Sequence, residues 1–264
     1  MKEKNKKRVS TVIVVSMLLV ILASVITPVG ADDNGGSVVA EDGDSYTIRD
    51  PIRINGNSNF ASQAAKEGWP GDGNAGNPYI IEGYEIDAEG YGCGIYVGNT
   101  TKHFVIRGCY IYNASKERGV HGYLQKYYLS SGISLYMTRN GRLEYNTIRN
   151  HQQIGIVLWR SDENHIEGNK ILSDRMAYKT GIDLWDSNHN TIIYNNISRQ
   201  STGIALVDCL IGNAVHNNTF TDIYHSEVVE VFSTDDSPTI GFLSVALCVL
   251  VATFIVRKKK ELKR

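Results

Sequence analysis

Proline is scarce, five in 264 residues, too few for a long Pro-rich stalk. Basic residues are scarce in the body of the chain. Eleven of the 27 Lys and Arg lie in residues 1–8 and 257–264, and those ends hold only Glu3 and Glu261 of the 28 acids. Residues 9–256 thus carry 16 basic against 26 acidic residues, a charge of about −10. Such a body makes no nucleic-acid partner, because binding the phosphate backbone leans on Lys and Arg. Sulfur is thin as well. Beyond residue 31 stand only Met137, Met176, Cys93, Cys109, Cys209 and Cys248. Apolar residues at 42 % and charged residues at 21 % nevertheless suit a folded domain.

Two apolar runs frame the body. Residues 1–8 are basic, residues 11–27 are almost wholly apolar, and Pro28-Val29-Gly30-Ala31 ends on small residues. That order predicts a signal peptide over 1–31, cut after Ala31; an uncleaved anchor is the rival. Residues 239–256 form 18 uncharged residues, followed at once by Arg257-Lys258-Lys259-Lys260. As a helix they would span about 27 Å, close to the hydrocarbon thickness of a bilayer. The basic tail 257–264 would stay in the cytoplasm and the body would face outward. The alternatives are a buried core helix and a sorting tail that is later removed.

The middle repeats itself. Gly-Ile recurs at Gly94-Ile95, Gly132-Ile133, Gly155-Ile156, Gly181-Ile182 and Gly203-Ile204. The long first step fits one unit plus an insertion over 116–130. Three residues after each Gly stand Val97, Leu135, Leu158, Leu184 and Leu206. Further along come Leu143, Ile166, Ile192 and Val215, then Ile148, Ile171, Ile197 and Phe220. Asn146, Asn169, Asn195 and Asn218 share one offset. Each unit is two or three short alternating strands with no helical period. One unit cannot bury its apolar side; stacked units place like above like at about 4.8 Å. The Asn series fits inward corners where amides bond from coil to coil. A parallel β-helix is expected over 69–232, after a lead-in over 32–58. A sandwich of hairpins is the alternative, but it would not yield equal ladders. Residues 59–68 are predicted as a capping helix with Asn59 as N-cap and Gly68 as stop. Residues 227–232 would form a last strand and 233–238 a linker.

The units GIVLWRSDENHIEGNKI and GIDLWDSNHNTIIYNNI resemble repeats of the pectin-lyase-like superfold. The stretch PIRINGNSNF…GDGNAGNPYIIEGYEIDAEG, followed by GIYVGNTTKHFVIRGCYI, is similar to archaeal surface proteins of the NosD type, a family labelled periplasmic copper-binding. The resemblance covers roughly 50–222. It implies a right-handed, single-stranded coil with three parallel sheets, and says little of activity, because one scaffold hosts many functions.

Offset +4 from each Gly points outward. It carries Tyr136, Trp159 and Trp185, with Arg160, Asp183, Asp186 and Asp208 nearby. Flat aromatics beside carboxylates suit a glycan. The competing reading is that the 116–130 insertion folds over the stripe and buries it. Asp162, Glu163, Asp183, Asp186 and Asp208 could supply the carboxyl pair that glycoside hydrolysis needs. Yet the motifs expected of pectin hydrolases and β-helix epimerases are absent, so catalytic residues stay unassigned.

For metal, His165 and His189 lie at nearly one offset, but without a third ligand copper is disfavoured. Ca²⁺ is weighed at Asp72 in Gly71-Asp72-Gly73-Asn74, where a Gly-rich turn serves equally well. A Cys93–Cys109 disulfide is weighed on the ground of export. Asn99, Asn113, Asn196 and Asn217 open glycosylation sequons.

The sequence therefore predicts an all-β, membrane-tethered surface module that binds glycan or another envelope component without catalysis and without a cofactor. A polysaccharide lyase, hydrolase or epimerase is one alternative, and a copper accessory protein another.

Overall fold

The glycine of each Gly-Ile pair stands where neighbouring coils press closest. A Cβ on Gly155 would lie 2.5 Å from the carbonyl oxygen of Gly181 and 2.5 Å from Cγ2 of Ile171. Only glycine lets the next backbone and an opposing isoleucine approach this far. The recurring Gly is thus a packing requirement of the stack.

The computed structural model describes residues 37–39, 45–115, 130–174 and 179–232. The signal segment, the linker, the apolar run 239–256, the basic tail and residues 116–129 of the insertion lie outside the described residues. Among the described residues, no helix is long and apolar enough to cross a membrane.

Strands β1 (Ser37–Val39) and β2 (Ser45–Ile48) pair antiparallel. Then come β3 (Ile52–Asn55), α1 (Asn57–Glu67), β4 (Tyr79–Glu82) and β5 (Tyr84–Asp87). The three-strand set recurs as β6 (Cys93–Thr100), β7 (Phe104–Arg107) and β8 (Tyr110–Tyr112). It recurs again as β9 (Ser131–Thr138), β10 (Gly141–Glu144) and β11 (Thr147–Arg149). Next are β12 (Ile154–Trp159), β13 (His165–Glu167) and β14 (Lys170–Leu172), then β15 (Thr180–Trp185), β16 (Thr191–Ile193) and β17 (Asn196–Ser198). The last set is β18 (Thr202–Val207), β19 (Ala214–His216) and β20 (Thr219–Thr221), with β21 (Ser226–Val231) beginning a further coil.

Three sheets result, ordered β3-β6-β9-β12-β15-β18-β21, β4-β7-β10-β13-β16-β19 and β1-β2-β5-β8-β11-β14-β17-β20. Every pair except β1–β2 is parallel, so the chain forms a parallel β-helix and not a sandwich of hairpins. The register follows the expected ladders. Ile133, Ile156, Ile182 and Ile204 pair in succession, as do Leu143, Ile166, Ile192 and Val215. Ile148, Ile171, Ile197 and Phe220 form the third ladder. The isoleucines and Leu143 among them are fully buried. Each such side chain contributes roughly 1.5–3 kcal/mol before chain entropy is subtracted.

The corners are held by amides. Asn146 Nδ2 donates to Asn169 Oδ1 at 2.9 Å, and Asn169 Nδ2 to Asn195 Oδ1 at 3.0 Å. Asn195 Nδ2 continues the row to Asn218 Oδ1 at 3.0 Å. A second row, Asn164–Asn190–Asn213, runs along another corner with steps of 3.2 Å. It escaped sequence reasoning because Asn190 lies among other asparagines and Asn213 is displaced by one residue.

Helix α1 buries Phe60 and Ala64, one turn apart on one face. Phe60 stacks on Tyr79 at 4.7 Å and meets Trp69 edge-on at 6.3 Å, joining the same core as the ladders. Arg49 ties the helix to the first coil through Glu67 at 2.5 Å and lies over the rings of Trp69 and Tyr84. Gly68 ends the helix in the left-handed conformation, as expected. The start differs: Gly56 is the N-cap and Asn59 lies inside the helix. Asn59 Oδ1 is already used, accepting from the Asn55 backbone and from Gln63.

Candidate functional site

The outer face of the seven-stranded sheet carries the aromatic row. Trp159 pairs with Tyr136 on one side and Trp185 on the other. The two indoles stack at 5.6 Å with 11° between their planes. Their flat faces are turned toward each other along the cylinder, so solvent meets mostly ring edges. Trp185 is only 9 % exposed and packs with Ile154, Val157 and Val207, whereas Trp159 and Tyr136 are half-buried. Whether the 116–130 insertion covers the row turns on residues outside those described.

Asp183 lies on the same face, two residues before Trp185, and is fully buried. Among the described residues, neither carboxyl oxygen finds a well-aligned hydrogen-bond partner. Burial pushes this carboxyl up to about 7, and the neighbouring Trp185 indole draws it partly back. At the corner that follows, exposed Arg160 and Asp186 pair at 3.2 Å. Both adopt left-handed backbone, with φ 48 and 45, as does Asp208 with φ 53. Asp162 and Glu163 reach Arg139 at 3.5 and 3.8 Å. Of the carboxylates weighed for hydrolysis, Asp162, Glu163 and Asp186 are thus held in ion pairs, Asp183 is closed off, and Asp208 is half-buried at its own corner.

Sequence reasoning missed the corner after the third sheet. His151 and Gln200 are both buried there, with Gln200 Nε2 3.2 Å from His151 Nε2. Burial pushes His151 down to about 3, so the ring stays neutral. No pattern announces this pair, since either residue alone reads as an ordinary turn residue.

The donors that copper favours are dispersed among the described residues. His165 bonds Glu167 at 2.8 Å, His189 lies against Gly212 of the next coil, His151 faces Gln200, and Met137 is exposed near the end of β9. No three His, Cys, Asp or Glu side chains cluster among the described residues as a metal site would need. The Asp72 loop closes on itself. Its Oδ1 accepts the Asn74 backbone N–H at 2.9 Å, which holds the carboxyl below its usual range, and Lys102 donates to its carbonyl.

The disulfide weighed between Cys93 and Cys109 is not formed in the structure, and both side chains are buried. Cys109 occupies the position that Asn146, Asn169 and Asn195 take in later coils, and its backbone N–H donates to Asn146 Oδ1. Its Sγ points at the carbonyls of Ile81 and Arg107. Of the sequon asparagines, Asn99, Asn196 and Asn217 are exposed and Asn113 is half-buried. Asn99 Nδ2 is engaged with Asn55 at 2.6 Å.

The family model described as periplasmic copper-binding protein (NosD) matches residues 46–231, the span of the coils. The chain belongs to the NosD family. A proposed glycosyl hydrolase from Parabacteroides merdae is similar over 69 % of this NosD-family chain and 97 % of its own, at 11 % identity and a TM-score of 0.32. No curated protein matches.

Proposed function

We propose that this NosD-family chain is a cell-envelope module, held to a membrane by residues 239–256, that binds an extracellular glycan without cleaving it. The contact is edge-on. Half-exposed Trp159 is backed rigidly by buried Trp185, and Tyr136 continues the row. The Arg160–Asp186 pair beside them offers donors and acceptors to sugar hydroxyls. The observation that carries this reading is the clamped Trp159 next to that exposed pair. A binding reading is favoured over cleavage because hydrolysis needs two carboxyls free to trade protons and bonds. Here Asp162, Glu163 and Asp186 are drawn to arginines and Asp183 is shut off from water.

Pull-down on insoluble envelope polysaccharides tests it. The native chain should be retained and Trp159→Ala released, with the melting transition little changed. Retention of the variant would overturn the reading. So would the appearance of reducing or unsaturated ends during incubation.

A further inference from the structure

The last coil is unlike the others. In the earlier coils each aliphatic ladder is sealed on both sides. At the end, Val215 and Phe220 are only half-buried and Val228 is 42 % exposed, because no described strand pairs beyond β19, β20 or β21. Around this floor stand Leu210 at 73 %, Ile211 at 63 %, Tyr224 at 70 % and Phe232 at 56 % exposure. Half of the ten exposed large apolar side chains of the described residues fall between 210 and 232, and the rest are scattered. A rim of this kind marks a contact.

A second copy stacked end to end is disfavoured by β21 itself. Glu230 pairs with Leu206, so it holds the inward row where every earlier coil has Ile, Val or Leu. An inward charge on an edge strand blocks further pairing. A polyanionic surface is disfavoured too: no Lys or Arg occurs between Arg199 and Arg257, while Asp222, Glu227 and Glu230 are exposed.

We infer that this end of the cylinder rests on the uncharged interfacial zone of the lipid bilayer. The inference rests on the reading of residues 239–256 as a membrane span. Only residues 233–238 separate the described coils from that run, and six residues reach at most about 22 Å. The last coil is the part of the body held nearest the lipid. Leu, Ile, Phe and Tyr are side chains that partition into the interface, and here they project from the rim of that coil. The contact would be driven by apolar burial and opposed by anionic headgroups. The cylinder would then stand on the membrane with its aromatic row along its side.

The test uses the full chain reconstituted into phosphatidylcholine vesicles that carry a nitroxide-labelled lipid. An environment-sensitive fluorophore is placed on Leu210→Cys, on Tyr224→Cys or, as a control on the cylinder wall, on Tyr145→Cys. Labels at 210 and 224 should shift to shorter wavelength and lose most of their emission to the quencher, while the label at 145 keeps its own. The loss should shrink when phosphatidylglycerol replaces part of the lipid. Equal emission at all three sites would overturn the inference. A blue shift without quenching, or one that persists in detergent and depends on protein concentration, would assign the end to a second copy and overturn it as well. Carbonate extraction of the same vesicles separates the two claims. Release of the protein fails the membrane span, whereas retention without quenching fails only the resting end.

Discussion

Asn169 Oδ1 receives two hydrogen bonds from Asn146, one from its backbone N–H at 3.0 Å and one from its side-chain amide at 2.9 Å. The Asn169 amide in turn donates to the carbonyl of Leu143 at 2.8 Å. One side chain therefore satisfies backbone and side-chain groups of the neighbouring coil in a dry corner. Asn169→Ala strands these groups, and each buried orphan costs about 1–3 kcal/mol. The expected loss is about 3 kcal/mol or more in urea unfolding. Asn218→Ala, at the open end and half-buried, should cost clearly less. Equal losses would refute the dependence on burial.

The glycine ladder yields a sharper contrast. A Cβ at Gly181 would lie 2.6 Å from the Gly203 carbonyl oxygen and 2.5 Å from Ile197 Cγ2. Backbone cannot swing aside, so Gly181→Ala should destabilise by at least about 1–3 kcal/mol, the usual cost of overpacking. Gly76 has nothing within 4 Å of the same construction. Gly76→Ala should be close to neutral in the same denaturation experiment.

The ladders were legible because stacking forces identical demands on every coil. Ile156, Ile182 and Ile204 face the same cavity wall, so the same residue type recurs at the same offset, and periodicity exposes it. Asn146 and its successors were legible for the same reason. What periodicity could not report is exposure on the outer face. Asp183 and Asp186 both read as polar outward residues, yet one is fully buried and the other exposed. That difference depends on what lies across the sheet, which the repeat does not encode. The helix start was misread on similar grounds: Asn59 is a favoured cap by residue type, but its oxygen was claimed by Asn55 and Gln63.

Asp183 should impose a pH dependence. Its folded value, about 7, lies above the ordinary 3.8 of an aspartate. The folded state then holds a proton that the unfolded chain has released. Stability is greatest below about pH 4 in this respect and falls as pH rises toward 7, by up to about 1.4 kcal/mol per pH unit, then levels off. Asp183→Asn keeps the shape and removes the titration. The variant should match the native chain in acid and exceed it at pH 8 in thermal melts. Parallel curves across this range would show that Asp183 finds a compensating partner.

Cys109 and Cys209 should be poor nucleophiles, because burial pushes their thiols up to about 12 and about 11. Iodoacetamide at neutral pH should leave both unmodified in the folded chain and alkylate them once urea opens the coils, as mass spectrometry of the peptides would record. Rapid native alkylation of Cys109 would contradict its burial in the Asn row.

Glu230 terminates the inward row beneath Leu206. Glu230→Leu would continue the row with the residue that the four preceding coils use. Two effects should follow together. The floor of the cylinder would gain apolar burial, raising the unfolding midpoint. The edge strand would also lose the charge that guards it, and its free backbone groups would become available to another chain. Light scattering of the detergent-solubilised variant should therefore report concentration-dependent association that the native chain lacks. Glu230→Gln separates the causes, since it removes the charge while leaving a polar group in the row: association by Leu and not by Gln would assign the guard to polarity, and association by both would assign it to charge.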